Sequence, residues 1–387
     1  MKLSAESFRQ RFPSLGRKVH LASCSLGARS TDLDDALDAM LDDMAGGSAP
    51  WDRFEDRLHQ ARARFATLIG ATPEQIAVLP NASVGAFQIA STVDWSTRPK
   101  VVTAAFEFPS VGHIWLAQRP RGAQVVYADT AGQYADLIDE RTRLVSAPMT
   151  GYHYGERFPV ADIARIAHDA GAEIFVDAYQ AVGTESVDVT ELGCDYLVAG
   201  TMKYLVGLPG LAFLYVREPE STEREPSLTG WFGRVNPFAF DPKSLDFAAD
   251  ATRFETGTPS VPAAYAAEAG LRLMADVDLA AVREHVLGLT DQAIERLAAQ
   301  GERVNVLPRE RRGAHIGLHT GDPAGLAKRL AEQGIAVSAR ADVVRLAFHY
   351  YNNTDDLDVL CAALAAESVS QSPRSDHESS GRFNVHS

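Results

Sequence analysis

Cysteine is scarce in this sequence: three in 387 residues, at Cys24, Cys194 and Cys361. They are too far apart for a metal-ligand spacing, and they imply neither a disulfide framework nor an oxidising compartment. Positive charge is also short. Lys and Arg number 37 against 51 Asp and Glu, for a formal net charge of −14, which argues against a nucleic-acid partner. No apolar run approaches the roughly 20 residues of a membrane span. The opening MKLSAESFRQRFPSLG lacks the apolar centre of a signal peptide. A Gly-x-Gly-x-x-Gly after the first strand and a P-loop are both missing, which removes a plain nucleotide-binding reading. What remains is a chain expected to be soluble and cytoplasmic, with no metal, nucleic acid or membrane, and long enough for two domains.

Its most informative stretch runs from Ile174 to Tyr215. An apolar run, Ile174-Phe175-Val176, ends on Asp177, with Gln180 three residues later. A second, Tyr196 to Ala199, leads into Gly200-Thr201-Met202-Lys203. A third covers Leu211 to Val216. Short apolar runs bounded by Gly, Asp and Pro read as buried strands of an α/β sheet. Two of them deliver polar residues at their C-terminal ends, where open α/β sheets bind ligands. An acid after one strand and a lysine after another suit pyridoxal 5'-phosphate (PLP), which takes a lysine for its Schiff base and an acidic partner for its ring nitrogen. Lys203 and Asp177 are candidates for those roles, and Gln180 for a donor to the ring oxygen. Taken singly, Asp177 reads as a turn cap and Lys203 as a loop lysine. The two motifs together are hard to explain that way.

These motifs resemble those of fold-type I PLP enzymes of the class V aminotransferase group, over roughly Leu21 to Ala365. The group includes cysteine desulfurases, selenocysteine lyases, kynureninases, isopenicillin N epimerase-like proteins and C–S lyases. The resemblance implies an α/β fold: a large PLP-binding domain with a mostly parallel seven-stranded sheet between helices, and a smaller α+β C-terminal domain. The expected division is 1–20 as an N-terminal segment packing with the small domain, 21–258 as the large domain, 259–369 as the small one and 370–387 as a disordered tail.

The resemblance also assigns further residues. Pro80-Asn-Ala-Ser-Val-Gly85 turns from a strand into a helix, and a helix N-terminus is a natural anion site. The PLP phosphate is expected there, on the amides of Ala82 and Ser83 and the Ser83 hydroxyl. Phe108 matches the position of a ring stacked on PLP, where many desulfurases have histidine. Met202 stands where many relatives have histidine next to the lysine, and a thioether carries no proton. Gly257 and Thr258 match a pair that approaches the phosphate of the neighbouring subunit, which implies a homodimer with shared sites. Arg345, ahead of Tyr351-Asn352, matches the arginine that forks onto the substrate α-carboxylate, a task that suits guanidinium. Arg340 is a second candidate. Apart from the resemblance, Tyr152, in the strand-end loop Met149-Thr-Gly-Tyr-His-Tyr-Gly155, and Trp231, in Thr229-Gly-Trp-Phe-Gly233 of a long connection, are candidates to line the substrate pocket. Cys24 reads more readily as a small buried hydrophobe than as a substrate contact.

Smaller expectations concern element ends. Thr31 is expected to begin a helix with Asp34 in capping-box position, Ile335–Ser338 to be one strand, and Thr354 to cap a last helix ending at Ala365.

The segment between Val337 and Arg345, where desulfurases carry a persulfide cysteine on a mobile loop, is short here and has no cysteine. The expected reaction on an amino-acid substrate is therefore that of a lyase. Lys203 removes the α-proton and a β-substituent leaves, with C–S cleavage one form and pyruvate and ammonia among the products. An epimerase, an aminotransferase and a kynureninase-like hydrolase are alternatives. A PLP-fold protein that binds a ligand without turning it over is the non-enzyme alternative.

Overall fold

A computed structural model describes residues 2–46, 48–221 and 224–371. Seven strands form the central sheet, in the order Ile76–Leu79, Ala212–Val216, Tyr196–Gly200, Glu173–Asp177, Thr142–Pro148, Lys100–Ala104, Gln124–Ala128. Ala212–Val216 is antiparallel to both neighbours, and the other six strands run one way. Helices cover both faces, which is why the inner strands read as unbroken apolar runs rather than as alternation. The three runs around Asp177 and Lys203 are buried throughout except at Glu173. Register aligns Pro148 with Asp177 and Asp177 with Val198. The C-terminal ends of three neighbouring strands therefore open on one side of the sheet.

A second sheet is antiparallel, in the order Ser338–Arg340, Val343–Ala347, His315–His319, Arg303–Val304. Helices Leu279–Ala299, Pro323–Glu332 and Thr354–Gln371 pack around it. The N-terminal segment joins this second body. Val19–His20 pairs in parallel with Ile335–Ala336, Phe8 stacks on His349 at 5.5 Å, and Arg9 binds Asp356 at 2.9 Å. Helix Val261–Ala275 packs instead against Thr31–Met44 and Trp51–Leu68. We propose that the domain boundary falls after it, at 276–278. Among the described residues no helix is long and apolar enough to cross a membrane.

Several element ends differ from expectation. Ser30, not Thr31, caps the helix Thr31–Met44, accepting from the Leu33 amide at 3.1 Å; Asp34 pairs with Arg29 instead. Asn353 takes the Asp356 amide at 3.1 Å, so Thr354 is the first helical residue. That helix runs to Gln371, past Ala365, because no Gly or Pro intervenes before Pro373. The expected disordered tail loses Ser370 and Gln371 to this helix, and its remainder lies outside the described residues. The expected strand Ile335–Ser338 is two: Ile335–Ala336 faces the N-terminal segment, and Ser338–Arg340 forms a hairpin with Val343–Ala347.

Candidate active site

Lys203 sits in a tight turn between the strands Tyr196–Gly200 and Ala212–Val216. The turn closes on itself through Gly207 N to Thr201 O at 2.8 Å, and Val206 takes a left-handed φ of 48°. Three glycines from distant segments press on three successive carbonyls of this turn. A Cβ on Gly27 would lie 2.3 Å from Lys203 O, one on Gly183 2.6 Å from Tyr204 O, and one on Gly270 2.1 Å from Leu205 O. Buried His349 donates from Nε2 to Tyr204 O at 3.0 Å and accepts the Tyr350 amide on Nδ1 at 2.7 Å. Burial lowers its pKa to about 4, so the ring is neutral and its tautomer is set by those two bonds. The backbone carrying Lys203 is therefore held from four directions.

The Lys203 side chain enters a cavity at the strand ends of the large sheet. Asn81, Ala82 and Ser83 form one wall, Phe108, Ser110 and Tyr152 another, and Pro148, Thr150, Asp177, Tyr179 and Gln180 the strand-end floor. The Lys203 Nζ lies 4.5 Å from the centre of the Tyr179 ring and 5.6 Å from that of Phe108. Desolvation lowers its pKa from 10.5 to about 8, against the pull of Asp177. Asp177 is raised, first by burial, while the Tyr179 amide on Oδ1 at 2.9 Å works the other way. Glu107 shares the cavity. Burial and then Asp177 raise it to about 8; the Phe108 amide donates to its Oε1 at 2.8 Å and the Ser146 hydroxyl to its Oε2 at 3.1 Å. Burial and the neighbouring charge thus both oppose ionisation of Glu107. On the opposite wall Asn81 Oδ1 takes the Val84 amide at 3.0 Å, and the first-turn amides of Ala82 and Ser83 have no intrahelical acceptor. Two buried polar atoms on the cavity residues, Gln180 Oε1 and Thr150 Oγ1, have no partner.

The structure thus brings Lys203, Asp177, Gln180, Ala82, Ser83, Phe108 and Tyr152 together. Gln180 already donates one amide hydrogen to Cys24 O at 3.0 Å, leaving the other for a ligand. Tyr152 meets Phe108 edge-on at 5.2 Å, whereas His153 and Tyr154 turn away to Asp342. Arg345 does not line the cavity. It is 1% exposed, donates from Nη1 to Tyr152 O at 2.8 Å and from Nη2 to Ser338 Oγ at 2.6 Å, and leaves Nε without a partner. Arg340 is exposed nearby.

Gly257, Thr258 and Trp231 lie elsewhere. The glycine and threonine edge a separate cleft with Pro80 and Gly210. Trp231, expected in the pocket, packs among Trp51, Phe232, Phe238 and Phe240 instead. Its aromatic neighbours hold it there more strongly than the loop reading allowed. Sequence reasoning missed Glu107, Tyr179, Thr150 and Asn81. Glu107 and Tyr179 each adjoin a residue that was found, and an acid at a strand end before Phe108 was a usable signal.

Comparison with known proteins agrees with this geometry. Residues 45–360 match the family model "Aminotransferase class-V". An "Uncharacterized aminotransferase YcbU" of Bacillus subtilis is 32% identical over 368 residues, 94% of this chain and 98% of that one. A kynureninase of Pseudomonas fluorescens is 28% identical, covering 86% of this chain and 84% of its own. A cysteine desulfurase of Thermococcus onnurineus, solved in its apo form, superposes with a TM-score of 0.87 at 20% identity, over 96% of this chain and 99% of that one. The chain therefore belongs to the class V aminotransferase family, whose cofactor is pyridoxal 5'-phosphate.

Proposed function

We propose that this protein is a PLP-dependent lyase that removes the α-proton of an amino acid and expels a β-substituent. The observation that carries the reading is the partly buried Lys203 amine, with a depressed pKa, in the same cavity as Asp177. The residues present fit the cofactor. Ala82 and Ser83 offer free first-turn amides and a hydroxyl to its phosphate. Phe108 offers a ring face, and the unclaimed Gln180 hydrogen a donor to the ring oxygen. Asp177 Oδ2, with Oδ1 held by Tyr179, offers a charge for the ring nitrogen. Bound there, PLP supplies the electron sink for the carbanion left by α-proton removal.

The chain's own groups do the rest. Lys203 Nζ, neutral over an accessible range of pH, takes the α-proton. Met202 beside it has no proton to give, and the same lysine returns the proton. Arg345 holds the substrate α-carboxylate through its open Nε and the fork now bound to Tyr152 O, with Tyr152 shifting as substrate enters. The short hairpin at the position of the desulfurase loop supports a lyase over a desulfurase. The hairpin Ser338–Arg340 to Val343–Ala347 turns in two residues, Ala341 and Asp342, too few for a long mobile loop, and contains no cysteine.

We also propose a homodimer in which Gly257 and Thr258 complete the partner's phosphate site and Trp231 borders its entrance. Both residues of the pair are exposed in the single chain. Near them Phe240 is 72% exposed and Val235 67%, more apolar surface than a monomer keeps without a use.

The test adds β-substituted amino acids to the PLP-loaded protein and follows the visible spectrum and the products. Pyruvate, ammonia and the free leaving group support the lyase. Conversion to the pyridoxamine form identifies an aminotransferase, and loss of optical purity alone an epimerase. Cβ–Cγ cleavage of kynurenine identifies a hydrolase like the 28%-identical kynureninase. Loading without turnover of any amino acid leaves the ligand-binding reading.

A further inference from the structure

Two arginines stand at the small-sheet side of the Lys203 site, and only one is needed for an α-carboxylate. Arg345 is buried and oriented by Tyr152 O and Ser338 Oγ. Ser338 is the register partner of Arg345 across the hairpin, and the 2.6 Å bond between their side chains puts both on one face. Residues two apart on a strand point the same way. Arg340 therefore leaves its strand on that face too.

Arg340 differs from Arg345 in every other respect. It is exposed, and among the described residues its side chain makes no hydrogen bond or ion pair. An acid is close in sequence, Asp342, but that carboxylate is already held by His153 at 3.0 Å, Tyr154 at 3.1 Å and His319 at 3.1 Å. The charge of Arg340 is felt at Lys203 and at Cys24. In a chain of net charge −14, this guanidinium keeps a positive charge beside the site that draws anions there.

We propose that the substrate is an amino acid with a second anionic group on its side chain, a carboxylate or a sulfur oxyacid, which Arg340 binds while Arg345 takes the α-carboxylate. This deepens, and depends on, the assignment of Lys203, Asp177 and Arg345 to a PLP site.

The test uses the full-length protein stripped of cofactor and the reduced phosphopyridoxyl conjugates of L-aspartate, L-asparagine, L-glutamate and L-glutamine, with affinities read by calorimetry. A charge-assisted contact of about 1.5 kcal/mol corresponds to about tenfold. The acid conjugate of at least one pair is thus expected to bind about tenfold more tightly than its amide. In Arg340→Gln that preference disappears while amide binding stays unchanged, which also shows that the variant is folded. Equal affinities within both pairs in the wild-type protein, or a preference that survives Arg340→Gln, overturn the inference and leave the PLP site standing. If no conjugate binds, the PLP site itself falls.

Discussion

Lys203 is pulled in two directions, by desolvation toward the neutral amine and by Asp177 toward the ammonium, and desolvation prevails. The neutral amine is the nucleophile. The rate at which cofactor-free protein develops the visible PLP band is therefore expected to rise with pH to a plateau, with a midpoint about 8 rather than the 10.5 of a free lysine. Stopped-flow absorbance across that range measures it. Glu107 gives a second prediction. Its folded-state pKa is raised from 4.5 to about 8, so the folded chain holds this proton more tightly than the unfolded one. The stability it contributes is fully present below pH 4.5 and is lost as pH rises through about 8. Glu107→Gln keeps the shape and both hydrogen bonds without the charge, and should raise Tm relative to wild type at about pH 9 but not at about pH 4. Lys203, Asp177 and Gln180 were readable because each follows an apolar run at a strand end. Glu107 also follows a strand end, but its raised pKa was not readable, because it comes from burial in the fold and then from Asp177, 70 positions away in sequence.

At the scale of elements, the turn that presents Lys203 depends on how closely its neighbours approach. Helix Val261–Ala275 can reach the turn only because residue 270 has no Cβ. Gly270→Ala should cost about 1–3 kcal/mol, the usual range for overpacking, and weaken PLP binding by displacing the lysine. Gly288→Ala is the control. It lies mid-helix in Leu279–Ala299 with nothing within 4 Å of its would-be Cβ, and should stabilise the chain by about 0.5–1 kcal/mol. Chemical denaturation of both variants, with the PLP affinity of each, separates a general helix effect from the local contact. The central strands were legible because burial on both faces leaves an apolar signature. Helix caps and the split at Val337 were not, because Ser30, Asn353 and the N-terminal segment compete for backbone groups in ways that apolar periodicity does not record.

For the whole molecule, the large sheet brings Lys203 and Asp177 into the cavity, and the small sheet carries Arg345 and Arg340, whose charges reach Lys203. The length and composition of its loop suggested Trp231 as a pocket residue, whereas in the single chain it joins an aromatic cluster. If that cluster meets a second copy, Phe240→Asp should shift the protein from dimer to monomer in light scattering behind size exclusion and lower its PLP affinity together. A variant that remains dimeric would leave the shared-site proposal without its surface. The site as a whole depends on Lys203. The most direct measurement is the visible spectrum of purified protein with added PLP, beside Lys203→Ala, followed by borohydride reduction and peptide mass mapping. A band lost in the variant and a phosphopyridoxyl mass on Lys203 are the predicted results. No band in the wild-type protein, or label on another lysine, would contradict the assignment of the site.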